Sequence, residues 1–381
     1  MAGAGDEMTT RGPRLRAIDG GEREDSPPPI AWPEDGPVWH VETGLGAVEA
    51  RSSLAVMRDV DRAVLAGRLS RFQPMPTGFE ILDKRLGGGF RQGELILLGG
   101  GQGVGKTTMA VQMARNLAEG GVTCLYVCYE HDEDDLLQRV IAMDSVEPDG
   151  ESYPEGLRVR DIQTLLLDGR RLNGRGLLES LAADPHGESA LRKLSGYADR
   201  LYLCKGSGVR TTLEALQALA QQSRPQEGGQ MVLFIDYLQK VPLYPEPAEE
   251  AEKVTRVVEA LKELALSEGI AVVALVAADK EGLRAKRLRL HHLRGSSALV
   301  YEADVILILN EKYNIVSKAN IEFNPYRAQG YREWVICSIE KNRSARAEID
   351  VEFRKRFEHS CFYPAGGDVQ EQLIQERIYT E

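Results

Sequence analysis

The chain has 381 residues, 43% of them hydrophobic and 28% charged, a composition that supports a packed core without disulfide staples. Its 47 basic and 58 acidic residues leave a net charge of −11, so nucleic acid or an anionic membrane can be met only by a local basic patch. The five cysteines, Cys124, Cys128, Cys204, Cys337 and Cys361, are odd in number and argue against a disulfide framework; a reducing, cytoplasmic setting is expected. The longest apolar run, 270–278, is far below the roughly 20 residues that span a bilayer, and no apolar signal core is read near the start, so no membrane partner is expected.

Residues 1–50 hold 14 Pro plus Gly, with ten acidic residues against four basic ones. That composition reads as a disordered, solvated tail, with a partner-binding tail as the alternative. Over 51–76, Leu54, Met57, Val60, Val64, Leu65 and Leu69 recur at helical spacing and predict an amphipathic linker helix. It either folds back on its own core or docks on a neighbouring subunit, and the tail or this helix is where a protein partner would bind.

From 77 to 364 strands and helices alternate, which predicts an α/β fold with a mostly parallel sheet covered on both faces. Apolar strands are read at 94–99, 122–129, 231–236, 270–276 and 304–309, and a short one at 201–204. Helices are read at 106–118, 132–143 and 211–223, the last opened by a Thr211-x-x-Glu214 capping box. Residues 150–198 read as short helical pieces, and 334–339 with 347–353 as an antiparallel hairpin. In the C-terminal tail, 365–381, Val369, Leu373, Ile374 and Ile378 form a weak helical stripe.

The chemistry begins at Gly100-Gly101-Gln102-Gly103-Val104-Gly105-Lys106-Thr107, which fits G-x-x-x-x-G-K-[ST] between a predicted strand and helix; Thr108 follows on that helix. Such a loop turns backbone N–H groups toward phosphate oxygens at a helix N-terminus. Lys106 is placed to reach the β and γ phosphates of ATP, and the Thr107 hydroxyl to bind Mg²⁺. The apolar run 231–236 ends in Asp236, a second carboxylate for Mg²⁺ at a strand's carboxyl end. The strand 122–129 is followed by Glu130, which orients and deprotonates the attacking water if that strand lies beside the P-loop strand; a solvated acid at a helix start is the other reading. Cys124-x-x-x-Cys128-x-x-His131 has poor spacing for zinc and reads as two core thiols on one strand face.

These motifs carry a resemblance. Thr77-Gly78-Phe79-Glu80-Ile81-Leu82-Asp83-Lys84-Arg85-Leu86-Gly87-Gly88-Gly89, the P-loop, Cys128-Tyr129-Glu130, Ile235-Asp236-Tyr237-Leu238-Gln239 and Glu302-Ala303-Asp304-Val305-Ile306 occur in that order. Together they resemble the RecA-like ATPase domain of DnaB-type replicative helicases, from about Thr77 to Phe362. The resemblance implies a RecA-like fold and a ring, with a hexamer the expected size. It also implies Glu130 as the catalytic glutamate. Lys341 and Arg343 of Lys341-Asn342-Arg343 then serve as cations reaching the ATP site of the next subunit.

The segment 280–296 carries Lys280, Arg284, Lys286, Arg287, Arg289 and Arg294 and resembles the family's pore loop, which implies contacts to single-stranded DNA. Two departures stand against unwinding. Val276-Ala277 occupies the place of the family's Ser-Gln, whose Gln senses the γ-phosphate, and the loop after Gln239 is rich in proline and glutamate. The expectation is a Mg²⁺- and ATP-dependent, helicase-like ATPase; the alternative is an ATPase switch or scaffold acting on a protein.

Overall fold

A computed structural model describes residues 38–44, 46–146, 155–225, 228–295, 297–316 and 329–374. The chain divides into two compact units, Met1–Gly67 and Arg68–Glu381, a boundary earlier than the linker's expected end at residue 76.

In the first unit, β1 (Trp39–Thr43) and β2 (Gly46–Ala50) pair antiparallel, Val41 opposite Val48. This corrects the reading of residues 1–50 as disordered throughout. The tail's Pro and Gly content conceals two short runs of alternating residues around a Gly-containing turn; residues 1–37 lie outside the described residues. Helix α1 (Ser53–Leu65) follows, capped by the Ser52 hydroxyl, which accepts from the Ala55 N–H.

The second unit opens with α2 (Glu80–Leu86), closed by Gly87 in the left-handed conformation. Then come β3 (Leu95–Gly100), α3 (Lys106–Glu119), β4 (Thr123–Cys128) and α4 (Glu133–Asp144). A helical insertion follows: α5 (Val159–Asp168), α6 (Leu177–Ala182) and α7 (Pro185–Ser195). The chain returns through β5 (Leu201–Lys205), α8 (Leu213–Gln222), β6 (Met231–Asp236), α9 (Glu250–Glu268) and β7 (Ala271–Ala277). It ends with α10 (Ala298–Glu302), β8 (Val305–Glu311), α11 (Lys312–Ile315), β9 (Trp334–Asn342), β10 (Ile349–Arg356), β11 (Cys361–Phe362) and β12 (Gly367–Asp368).

One sheet of ten strands runs β11-β10-β9-β8-β3-β7-β6-β4-β5, with β12 on the side of β10. The strands from β8 to β5 are parallel, and β9, β10 and β11 add antiparallel pairs. Each of β3, β4 and β6 is buried at every residue because helices cover both faces. Ile96 and Leu98 point to the face packed by α2, α3 and α4; Leu95 and Leu97 point to the face packed by α8 and α9. Cys124 and Cys128 both lie in the first of these clusters.

Two local expectations are corrected. The α8 cap is Thr212, whose hydroxyl accepts from the Ala215 N–H, while the Thr211 hydroxyl accepts from the Ser207 N–H; the hydroxyl one place along meets the helix start. The described part of the C-terminal stripe is not helical: β12, just before it, pairs with β10, and Leu373 forms an isolated bridge with Val316 beyond α11. Ile378 lies outside the described residues. Among the described residues no helix is long and apolar enough to cross a membrane.

Candidate functional site

The P-loop leaves the carboxyl end of β3 and enters α3, so Gly100–Thr108 wraps a helix N-terminus at the top of the sheet. Gly105 has φ +102, and a Cβ there would lie 2.6 Å from the Phe357 ring and 2.7 Å from the Phe362 ring. Conformation and space therefore both require glycine. Phe357 and Phe362 meet edge to face at 5.3 Å, and the Gln112 side chain ties Phe362's backbone to α3 through bonds of 2.9 and 2.7 Å.

Within the loop, Lys106 Nζ donates to the carbonyls of Gly100 (2.9 Å) and Gly101 (2.8 Å). Burial lowers this ammonium below its ordinary range, and the carboxylates of Asp236 and Glu130 act against that shift. Val104 and Thr108 are buried, and Gln102 is exposed. The Thr107 hydroxyl donates to Asp236 Oδ2 at 2.8 Å. A hydroxyl and a carboxylate converging in this way are hard oxygen donors that fit Mg²⁺. Asp236 is 2% exposed, and burial raises its carboxyl above the usual range, against the bonds from Thr107 and Tyr126.

Glu130 follows β4, yet β4 does not neighbour β3. It pairs with β6, and β6 and β7 separate it from the P-loop strand, so the condition set from sequence is not met. Cys128 stands opposite Asp236 in the β4–β6 register, and Glu130 lies two residues on. It is exposed, and its charge acts on both Lys106 and Asp236. Pairing with the Asp236 strand brings it to the same cluster by a different route.

Two features escaped the sequence reading. The Tyr126 hydroxyl, buried inside β4, donates to Asp236 Oδ2 at 3.0 Å; burial raises its pKa well above the phenol range. A tyrosine flanked by apolar residues in the middle of the strand was the available signal. Gln239 joins the exit of β6 to two other segments: it donates to the Arg294 carbonyl (2.9 Å) and accepts from the Ala277 N–H (3.4 Å). Ala277 itself carries no polar side chain for a phosphate.

Lys341 and Arg343 lie toward the opposite end of the sheet from the P-loop. Lys341 pairs with Ile306 near the start of β8, whereas Gly100, at the end of β3, pairs with Leu309. Lys341 Nζ donates to the carbonyls of Val300 (2.6 Å) and Tyr301 (3.3 Å). Arg343 reaches the Tyr301 carbonyl (2.6 Å) and Asp304 (3.1 Å).

The basic segment is divided. Lys280, Arg284 and Lys286 are not withdrawn into the core. Arg287 is 2% exposed and bonds to Asp350 at 2.6 Å and Ser338 at 3.2 Å, which withdraws it from the expected nucleic-acid set. It turns inward where the sequence suggested a continuous solvated patch. Arg289 pairs with Glu340 (2.7 Å) and Arg294 with Glu250 (2.8 Å). In the glutamate-rich loop and the start of α9, Glu246 pairs with Lys253 and Glu252 with Arg256.

This fold and this site define a RecA-like P-loop ATPase domain. Residues 75–154 match the KaiC ATPase family model, and residues 188–360 match the model of the DnaB-like helicase C terminal domain. The replicative DNA helicase DnaB of Treponema pallidum (strain Nichols) is 29% identical over 241 residues, 62% of this chain and 48% of that protein. The replicative DNA helicase DnaB of Rickettsia bellii (strain RML369-C) is 26% identical over 268 residues, 68% of this chain and 49% of that protein. A solved DnaB-like replicative helicase, described together with its interactions with primase, superposes with TM-score 0.58 at 18% identity. It covers 83% of this chain and 67% of that one, a likeness of fold. Within the RecA-like class, the chain is similar to the DnaB-type helicases over their C-terminal ATPase domain. It spans about half the length of these curated relatives.

Proposed function

We propose that the chain hydrolyses ATP with Mg²⁺ at sites shared between adjacent copies in a ring, a hexamer being the expected size, and acts on single-stranded nucleic acid. The observation that carries this reading is the separation of the cations from the P-loop. Both are held toward the foot of the sheet, and Arg343 stands about one strand length, roughly 17–20 Å, from the P-loop of the same chain. Any contact it makes with a triphosphate is to that of a neighbour. Lys106 exchanges the Gly100 and Gly101 carbonyls for phosphate oxygens, Thr107 and Asp236 hold the metal, and Glu130 takes a proton from the attacking water. Magnesium, when bound, neutralises charge on the phosphates.

Lys280, Arg284 and Lys286 supply the cations for a strand's phosphates. The test is native mass spectrometry with ATP, followed by ATP turnover with and without single-stranded DNA at about 50 mM salt, where phosphate contacts are strong. Assembly with DNA-stimulated turnover supports the reading; a monomer turning over at full rate overturns it.

A second reading, an ATPase switch acting on a protein, is favoured by the internal pairing of Arg287, Arg289 and Arg294 and by Ala277. Turnover with no binding of single-stranded DNA at that salt selects it.

A further inference from the structure

The carboxylate of Asp236 receives two hydroxyl hydrogen bonds on one oxygen, Oδ2: from Thr107 at 2.8 Å and from Tyr126 at 3.0 Å. The donors differ in standing. Thr107 opens α3 and is half-buried, and in the reading above it is itself a metal ligand. Tyr126 is fully buried within β4, its ring stacked on Phe234 at 5.6 Å with 16° between planes. In the parallel β4–β6 register Tyr126 stands opposite Phe234, two residues before Asp236, so the phenol reaches along the strand direction to the carboxylate.

A phenylalanine would fill the same apolar volume. The hydroxyl adds one donor, and in the interior of a sheet whose backbone groups are already paired it has the Asp236 carboxylate to meet.

We propose that Tyr126 is a positioning residue for the metal site: its hydroxyl anchors Oδ2 of Asp236 from within the sheet. The carboxylate then keeps its orientation when Thr107 turns to the metal, and Oδ1 remains available to it. This rests on reading Thr107 and Asp236 as the magnesium ligands. Without the phenol, the hydroxyl bond left to Asp236 comes from a group that the metal also recruits, and the other donor on Oδ2 is the Cys128 thiol at 3.9 Å, a weak one. The loss then falls on metal-dependent nucleotide binding rather than on the fold or on metal-free binding.

The experiment is calorimetric titration of the full chain with ADP, with and without Mg²⁺, for the wild type, Tyr126→Phe and Phe234→Leu, each with its thermal midpoint. For Tyr126→Phe the gain in ADP affinity from Mg²⁺ is expected to shrink about tenfold, equivalent to about 1.4 kcal/mol, with metal-free affinity unchanged. For Phe234→Leu, which loosens the stack and keeps the hydroxyl, the midpoint falls and the magnesium gain stays near wild type. An unchanged gain in Tyr126→Phe, or an equal loss in both variants, overturns the positioning role. If the wild type binds ADP no better with Mg²⁺ than without it, the magnesium-site reading itself fails and takes this proposal with it.

Discussion

The Lys341 ammonium donates to the Val300 carbonyl across 2.6 Å, toward the foot of a sheet whose top carries Lys106. Arg343, two residues on, is half exposed and held by Asp304 and the Tyr301 carbonyl. If both cations complete a neighbour's site, Lys106→Ala and Arg343→Ala each abolish most ATP turnover, and mixing them restores part of it. In an equimolar mixed ring about a quarter of the interfaces pair an intact P-loop with an intact finger, so turnover should recover to about a quarter of wild type. No recovery on mixing, measured by phosphate release, removes the shared-site reading.

The divided basic segment separates folding from binding. Arg287→Ala leaves the Asp350 carboxylate, which is partly exposed, without its guanidinium partner and removes a buried side chain, a loss of about 2 kcal/mol. The combined variant Lys280→Ala, Arg284→Ala, Lys286→Ala is expected to change stability by under about 0.5 kcal/mol per site. It should also lower the slope of log affinity for single-stranded DNA against log salt by about 2, since each lost phosphate contact removes about 0.7. Urea unfolding and anisotropy across a salt series read the two effects apart. A triple variant with the wild-type slope excludes these side chains from phosphate contact.

Asp236 links the site to stability. Burial raises its carboxyl above the ordinary 3.8, so the folded chain holds that proton more tightly than the unfolded chain. The associated stability is complete below pH 3.8 and declines as pH rises through the raised folded value. At neutral pH the ionised, buried carboxylate is thus a burden on the metal-free fold. Asp236→Asn should raise the metal-free thermal midpoint at pH 7 by about 2 °C or more, with the gain shrinking toward pH 4, while ATP turnover is lost. An equal shift at both pH values would show that ionisation is not its cause.

Gly105 gives a test of the loop itself. Gly105→Ala places a Cβ against the Phe357 and Phe362 rings at a positive φ, so both strain and overlap disfavour it. It should destabilise the fold by about 2 kcal/mol, the range for combined overpacking and backbone strain, and weaken ADP binding at least tenfold. Wild-type ADP affinity in a stable Gly105→Ala protein would mean that the loop does not need this conformation.

Much of this molecule was legible in its residue order. The P-loop declared itself because its glycines, lysine and threonine sit at fixed spacing between a strand and a helix, and Met231–Asp236 is the strand the apolar run outlined. The parallel core followed from runs apolar on both faces, and the segments read as an antiparallel hairpin pair as β9 with β10. Less legible were features set by register or by a neighbour across the sheet. Arg287 and Lys286 are adjacent cations with the same local signature, yet only Arg287 is buried, paired with Asp350. Strand order set the surroundings of Glu130, because β4 joined β6 rather than β3.

What the amino-acid order determined by itself was the local chemistry: which residues can turn backbone N–H groups toward a phosphate, which strands are buried, and which carboxylates end them. Those properties depend on spacing along the chain. Tertiary structure alone decided which oxygen of Asp236 meets Thr107 and Tyr126, which arginine of the basic segment is buried, and that Lys341 and Arg343 are held away from Lys106. Such relations join residues far apart in sequence, and they exist only once strands from distant segments lie side by side.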